Sequence, residues 1–325
     1  MRNDQKVFVA GHTGLLGSAV AGRLIHDGWG NVVTRAHKEL DLTRQADVEE
    51  FFKRERPEYV FLCAGLTGGI GVNKGFPAGF LHTNLAIQDN VFEASVKHGV
   101  HSLVFYASSC VYPKGCAQPM KESDILTGSM EETSEAYAIA KLAGLKACRA
   151  YNKQYGGNCF IALLPNSMYG PHDNFDTESS HVLAALIRKI HDAKIRRSSA
   201  VRLWGSGNPL REFVFSEDVA SASVFALENA WRLDNDCYNV GSGQEASIKE
   251  LAAKVAYAVG YKGEIEWDMH KPDGAARKLL DCARFNALGW RPSVSLEEGI
   301  KRTYDWFLSV HGRKEDGCLQ VQPQP

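Results

Sequence analysis

The sequence has no excess of either charge: 37 Lys and Arg stand against 38 Asp and Glu, for a formal net charge of −1. Without a basic face or a long block of like charge, recognition of nucleic acid or of an anionic membrane surface through bulk electrostatics is excluded. Apolar runs of membrane length are also lacking. The first apolar run, in MRNDQKVFVAG, is about five residues long and stops at a glycine turn, so it reads neither as a signal peptide nor as a spanning helix. Cysteine is present without pattern: the 8 cysteines include no C-x-x-C and no Cys/His spacing suited to zinc. A disulfide scaffold and a structural metal module are therefore not expected, and a reducing, cytoplasmic setting is. No internal repeat or low-complexity segment occurs. The 325 residues are 44% hydrophobic, ample for the core of one large or two small domains.

The first half alternates short β-branched runs with amphipathic stretches. KVFVA precedes a helical pattern from Leu15 to His26, NVVT precedes one from about Thr43 to Arg56, and YVFLC one from Phe80 to Lys97. SLVFYAS, a long helical pattern from about Ser134 to Tyr155, and CFIALL continue the series. Strands apolar on both faces and separated by helices predict an α/β fold: a doubly wound, Rossmann-type parallel sheet. After about residue 165 the regularity breaks. The later pieces predict a smaller α/β substrate-binding domain over 166–310, with a segment near 216–240 returning to the first sheet. Residues 311–325 lose periodicity and read as a tail.

VFVAGHTGLLGSAV sets Gly11, Gly14 and Gly17 directly after the first strand and at the start of the first helix. Such a loop turns tightly, lets backbone amides approach a pyrophosphate at the positive helix end, and packs helix against strand. With Thr13, Leu15 and Leu16 it is the expected dinucleotide site. An NAD-selective site ends its second strand with an acid for the ribose 2′-hydroxyl. The corresponding stretch, NVVTRAHKELDL, offers Arg35 and His37 instead, which suits a 2′-phosphate and predicts NADP(H). Asp41 and Leu42 follow, placed for the adenine.

Tyr137 and Lys141 form Y-x-x-x-K, one turn apart on a single helix face. The spacing alone is weak, but Ser108 ends the fourth strand, at the carboxyl edge where ligands bind in such sheets. Reducing a carbonyl needs a hydride at carbon and a proton at oxygen. A phenol can donate that proton if a neighbouring ammonium lowers its pKa. Tyr137 is the expected acid, Lys141 the charge and a ribose contact, and Ser108 the donor to the carbonyl oxygen.

With these elements, the segments LTGGIGVNK, SSCVYP, YAIAK, YGPHDNF followed by SSHV, WGSGNPLREF and PDGAARKLLD resemble the extended short-chain dehydrogenase/reductase superfamily over residues from about 5 to 310. Within it they are similar to the enzymes that epimerise and reduce GDP-linked 4-keto-6-deoxy sugars. The resemblance implies a homodimer and an NADPH-dependent enzyme that epimerises C3 and C5 of GDP-4-keto-6-deoxy-D-mannose and then reduces C4. It implies Cys110 and His181 as the proton-transferring pair, with His181 also at the cofactor. Both side chains can titrate near neutrality when perturbed. Epimerases or reductases acting on colitose-type or 6-deoxy-heptose GDP-sugars would keep the same motifs. A non-catalytic dinucleotide sensor is disfavoured by the retained Ser108, Tyr137 and Lys141.

A nucleotide diphosphate needs cations. Arg211 and Lys278 are the candidates, with Arg188 or Lys189 in addition. Trp204 is either a contact to sugar or base or a core residue. The asparagine usual in these enzymes two places before the tyrosine of Y-G-P is Ser167 here, with Asn166 one place earlier, leaving both as candidate substrate contacts.

Overall fold

The computed structural model describes residues 4–312 except 158, 178 and 272; Cys318 and most of the tail lie outside the described residues. The first half runs β1 (Val7–Ala10), α1 (Leu15–His26), β2 (Val32–Val33), α2 (Gln45–Glu55), β3 (Tyr59–Leu62), α3 (Ile70–Gly75), α4 (Pro77–Lys97), β4 (Ser102–Tyr106), α5 (Glu135–Tyr155) and β5 (Phe160–Pro165). The second runs β6 (Ser167–Tyr169), α6 (Val182–Ile195), β7 (Ala200–Trp204), β8 (Leu210–Phe215), α7 (Ser216–Glu228), β9 (Cys237–Val240), β10 (Glu245–Ser247), α8 (Ile248–Val259), β11 (Glu264–Asp268), β12 (Arg277–Lys278), α9 (Ala283–Ala287) and α10 (Leu296–His311).

The main sheet has the order β2–β1–β3–β4–β5–β9, with every neighbouring pair parallel. This is the α/β doubly wound architecture expected from the sequence. Side chains alternate between two cores, as a period of two requires. Val7, Val9, Phe61, Val104, Ile161 and Leu163 pack beneath α1 and α7, whereas Phe8, Ala10, Val60, Leu62, Phe105 and Leu164 pack beneath α2, α4 and α5. The strand order reverses between β1 and β3, which opens the crevice at the carboxyl ends where ligands bind in open α/β sheets. Strand β9, from the second half of the chain, joins the main sheet beside β5.

The remaining elements build a third core. Leu183, Ile187 and Ile190 of α6, Leu251 and Val255 of α8 and Tyr304 and Phe307 of α10 close over the short strands β6, β7 and β8. Helix α8 has defined ends: Ser247 and Glu250 exchange a capping box, and Gly260 closes it in the left-handed conformation. The buried Asp218 of α7, a helix packed on the main sheet, holds the segment leading into α10: its carboxylate accepts hydrogen bonds from Ser293 N, Ser293 Oγ and Val294 N at 2.9, 2.8 and 3.1 Å.

Candidate active site

The glycine loop lies where β1 feeds α1. Gly11 has φ +82°, and a Cβ there would come within 2.7 Å of Ala64 N, beyond the end of β3. A Cβ on Gly17 would overlap the Gly11 carbonyl oxygen. The helix start has no side-chain cap and no acid in its first turn, so its free N–H groups and positive end are open to an anion. His12 contributes a buried Nδ1 with no hydrogen-bond partner. These features fit a dinucleotide pyrophosphate.

The residues expected at the adenosine end are also together. Arg35 donates to Thr34 O at 2.7 Å and pairs with Glu55 at 2.7 Å, its guanidinium over the Phe51 ring. The acids of NVVTRAHKELDL bond locally: Glu39 accepts from Ala36 N, and Asp41 from Thr43 N and Oγ1. His37 is exposed beside Asp41, whose carboxyl is held below its usual range, chiefly by the Thr43 hydroxyl, and Leu42 is buried behind it. No carboxylate of this stretch is thus presented as a ribose-binding acid.

Ser108, Cys110, Tyr137 and Lys141 meet at the ends of β4 and α5. The Ser108 hydroxyl caps the short turn Ser109–Val111 by accepting from Cys110 N at 3.3 Å, and it also lies in hydrogen-bond contact with Tyr137. Cys110 is close enough to Tyr137 to influence its ionisation. Phe80 of α4 meets the Tyr137 ring edge-on, with 6.2 Å between centroids. Lys141 is buried, its Nζ 5.1 Å from the Phe105 centroid and 5.9 Å from that of Tyr137.

One electrostatic expectation is corrected. Lys141 was expected to lower the Tyr137 pKa, but burial dominates and pushes it up, with Cys110 adding to the rise and Ser108 opposing it. It is the lysine that shifts downward, to about 8, because burial disfavours its ammonium. Cys63, at the end of β3, lies near enough to oppose that drop, while its own thiol is pushed up to about 12 by burial.

The loop from Leu66 to α3 connects this group to His181. Asn84 of α4 grips its start, accepting from Leu66 N at 3.1 Å and donating to Leu66 O at 3.0 Å. A Cβ on Gly65 would sit 3.5 Å from Lys141 Nζ. Asn73 donates to Gly68 O and Gly69 O, and Gly69 N donates to Ser179 O at 3.0 Å. His181 follows as the residue preceding α6. The side chain is solvent-exposed, yet the surrounding protein desolvates it enough to lower its pKa.

The cationic candidates fall into two groups. Arg211 and Lys278 are partners in register on β8 and β12 and share a sheet face. Lys189 lies 4.6 Å from the ring centroid of Trp204, which is 61% exposed and so is not the core residue the alternative reading allowed. Lys271, missed in the sequence, stands 5.3 Å from the same ring. Gly205 and Ser206 link the groups: Ser206 N and Oγ donate to Asp273, and Asp273 interacts with Arg211. Arg188 points back to Asp192 on its own helix. Between Asn166 and Ser167, the asparagine is buried and donates to Glu212, whereas Ser167 is half-buried. Among the described residues no group of His, Cys, Asp and Glu is placed to hold a metal, and no helix is long and apolar enough to cross a membrane.

Residues 7–241 match the profile of the family described as the NAD dependent epimerase/dehydratase family. The chain is 51% identical over 303 residues to GDP-L-fucose synthase 1 of Arabidopsis thaliana, covering 93% of each. Among solved structures it is similar to a GDP-6-OMe-4-keto-L-xylo-heptose reductase from C. jejuni, with TM-score 0.89, 35% identity, and coverage of 96% of this chain and 99% of that one. A GDP-L-fucose synthetase from Naegleria fowleri bound to NADP superposes with TM-score 0.87 at 28% identity, covering 96% of both.

The tight crossing of Gly17 on Gly11 gives a direct test of the loop. Gly17→Ala must displace either the loop or the helix start, so NADPH affinity, read by quenching of protein fluorescence, is expected to fall at least about tenfold. Unchanged affinity would remove the loop from the dinucleotide site.

Proposed function

Because the chain belongs to the NAD dependent epimerase/dehydratase family, we propose that it is an NADPH-dependent epimerase and reductase that converts GDP-4-keto-6-deoxy-D-mannose to GDP-L-fucose. The observation that carries this reading is the convergence of Ser108, Cys110, Tyr137 and buried Lys141 at the carboxyl edge of the sheet. Epimerisation beside a ketone needs a base to take an α-proton and an acid to return one on the other face. Cys110 and His181 are the proposed pair. The Cys110 backbone is fixed by the Ser108 cap, and the lowered His181 pKa keeps its imidazole neutral, and so able to accept a proton, near pH 7.

Bound NADPH supplies the hydride for reduction at C4. Tyr137 donates the proton to the C4 oxygen, and its raised pKa keeps it a phenol across the neutral range. Ser108 donates to the same oxygen, and Lys141 binds the nicotinamide ribose. Gly11, Thr13, Gly14, Leu15, Leu16 and Gly17 cradle the pyrophosphate, and Arg35 and His37 serve the 2′-phosphate. Arg211, Lys278, Lys189 and Trp204 receive the GDP end. The free state of all seven described cysteines supports a reducing, cytoplasmic setting.

The deciding experiment offers NADPH and GDP-4-keto-6-deoxymannose and reads product stereochemistry by NMR. GDP-L-fucose is expected; failure to turn over this sugar would shift the reading to the colitose or heptose type. In the same assay Cys110→Ser should suppress solvent-deuterium incorporation at C3 and C5, and Tyr137→Phe should suppress NADPH oxidation. Wild-type rates in either variant would refute its role.

Lys141 sets a pH limit. Its ammonium is present below its lowered pKa and is lost as pH rises through about 8. NADPH-dependent reduction should therefore decline above about pH 8, while Lys141→Arg should abolish that alkaline limb at whatever activity remains. A wild-type profile flat to pH 10 would show that the charge is not needed.

The proposed assembly is a homodimer through α4 and α5. Supporting it is an open groove between these helices, where Leu85, Phe92 and Ala147 lie beside the polar His82, Gln88 and Asp89. Sedimentation equilibrium should give twice the chain mass, and Ala147→Arg should yield monomers; a monomeric wild type ends this proposal.

A further inference from the structure

Glu212 is fully buried although it neighbours the exposed side of the cation site. Alternation along β8 explains this. Arg211 shares one face with Lys278, and Glu212 turns to the opposite face. There its carboxylate accepts from Gly243 N at 2.7 Å, Leu280 N at 3.0 Å and Asn166 Nδ2 at 2.5 Å. All three partners are donors, so the arrangement suits an ionised carboxylate; burial pushes its pKa up and these bonds oppose the rise.

Each bond continues a connection that the backbone ladder drops. The β8–β12 ladder covers only Arg277 and Lys278, and the Leu280 bond carries it two residues further. The β8–β10 ladder begins at Glu245, and the Gly243 bond extends it back toward β9. Asn166 directly follows the last residue of β5, so the third bond reaches the main sheet. The fit is close: a Cβ on Gly241 would overlap the carboxylate. The same bond fixes the Asn166 amide, whose Nδ2 also approaches Lys278 O at 3.4 Å, while Oδ1 remains buried and unpaired.

We propose that Glu212 is a positioning residue for the diphosphate of the nucleotide substrate, its carboxylate aligning Arg211 with Lys278 and anchoring that pair to the end of β5 through Asn166. The three bonds fix the strand carrying Lys278 against the one carrying Arg211, while Asp273 is the acid that acts on Arg211 itself. The assignment deepens the GDP-sugar reading and rests on it.

The test is calorimetric titration of the full chain with GDP and, separately, with NADPH. Glu212→Gln keeps the shape, removes the charge, and sets an NH2 group against backbone N–H donors. GDP affinity and KM for the sugar nucleotide are expected to worsen at least about tenfold, with kcat within about threefold and NADPH affinity within about twofold of wild type. Glu212→Asp, which restores the charge, should recover part of the GDP affinity, and it carries the test if the glutamine variant does not fold. Unchanged GDP affinity, or parallel loss of GDP and NADPH affinity, overturns the positioning role. A wild-type chain that binds NADPH but not GDP would instead overturn the substrate reading itself.

Discussion

The candidate site depends on keeping one ammonium group buried at the sheet edge. Lys141 is 7% exposed, and no carboxylate among the described residues pairs with it. Burying an unpaired charge costs several kcal/mol, and the rings of Phe105 and Tyr137 return only about 1–2 kcal/mol. The balance appears in the fall of its pKa from 10.5 to about 8, roughly 3 kcal/mol in favour of the neutral amine. A lysine in this state is sensitive to every dipole around it. The packing of Gly65 near its Nζ and the grip of Asn84 on Leu66 are therefore electrostatic features as much as steric ones.

The same logic runs through the second half of the chain with the sign reversed. Glu212 is a buried carboxylate with neutral donors, on the face of β8 opposite Arg211, whose register partner on β12 is Lys278. Lys141 and Glu212 both face a desolvation cost, which the Glu212 carboxylate offsets with hydrogen bonds from three separate segments. For a chain with a formal net charge of −1, the proposed contacts to polyanionic ligands rest on a handful of local cations and not on bulk charge.

What could be read in the sequence was whatever carries a period or a spacing. The glycine loop, the Tyr137–Lys141 pair and the end of β4 at Ser108 are local patterns, and the helices and strands of the first half follow from hydrophobic periods of 3.6 and 2. Asn84 and Lys271 left no such trace, and Asn73, Glu212 and Asp273 lie inside the segments LTGGIGVNK, WGSGNPLREF and PDGAARKLLD without a spacing that marks them out. Asn84 acts on a loop 18 residues away, and Glu212 bonds Asn166 across 46 positions and Leu280 across 68. A single amide or carboxylate gains meaning only when the fold supplies its partners. The expected lowering of the Tyr137 pKa failed for a related reason: proximity to Lys141 was legible, but the burial that outweighs it was not.

The stereochemistry proposed for the site raises a requirement that neither half of the chain meets alone. Cys110 is fastened to β4 through the Ser108 cap, whereas His181 stands before α6. An α-proton removed on one face of a sugar and returned on the other demands that these groups keep a fixed separation. The described hydrogen bonds provide a route for that constraint. Asn84 holds Leu66 to α4, Asn73 stiffens Gly68 and Gly69, and Gly69 N seizes Ser179 O two residues before His181. Gly69 is suited to this role because a Cβ would press to 3.0 Å on Ser180 O. The glycines of LTGGIGVNK thus let the loop after β3 press against the backbone just before His181.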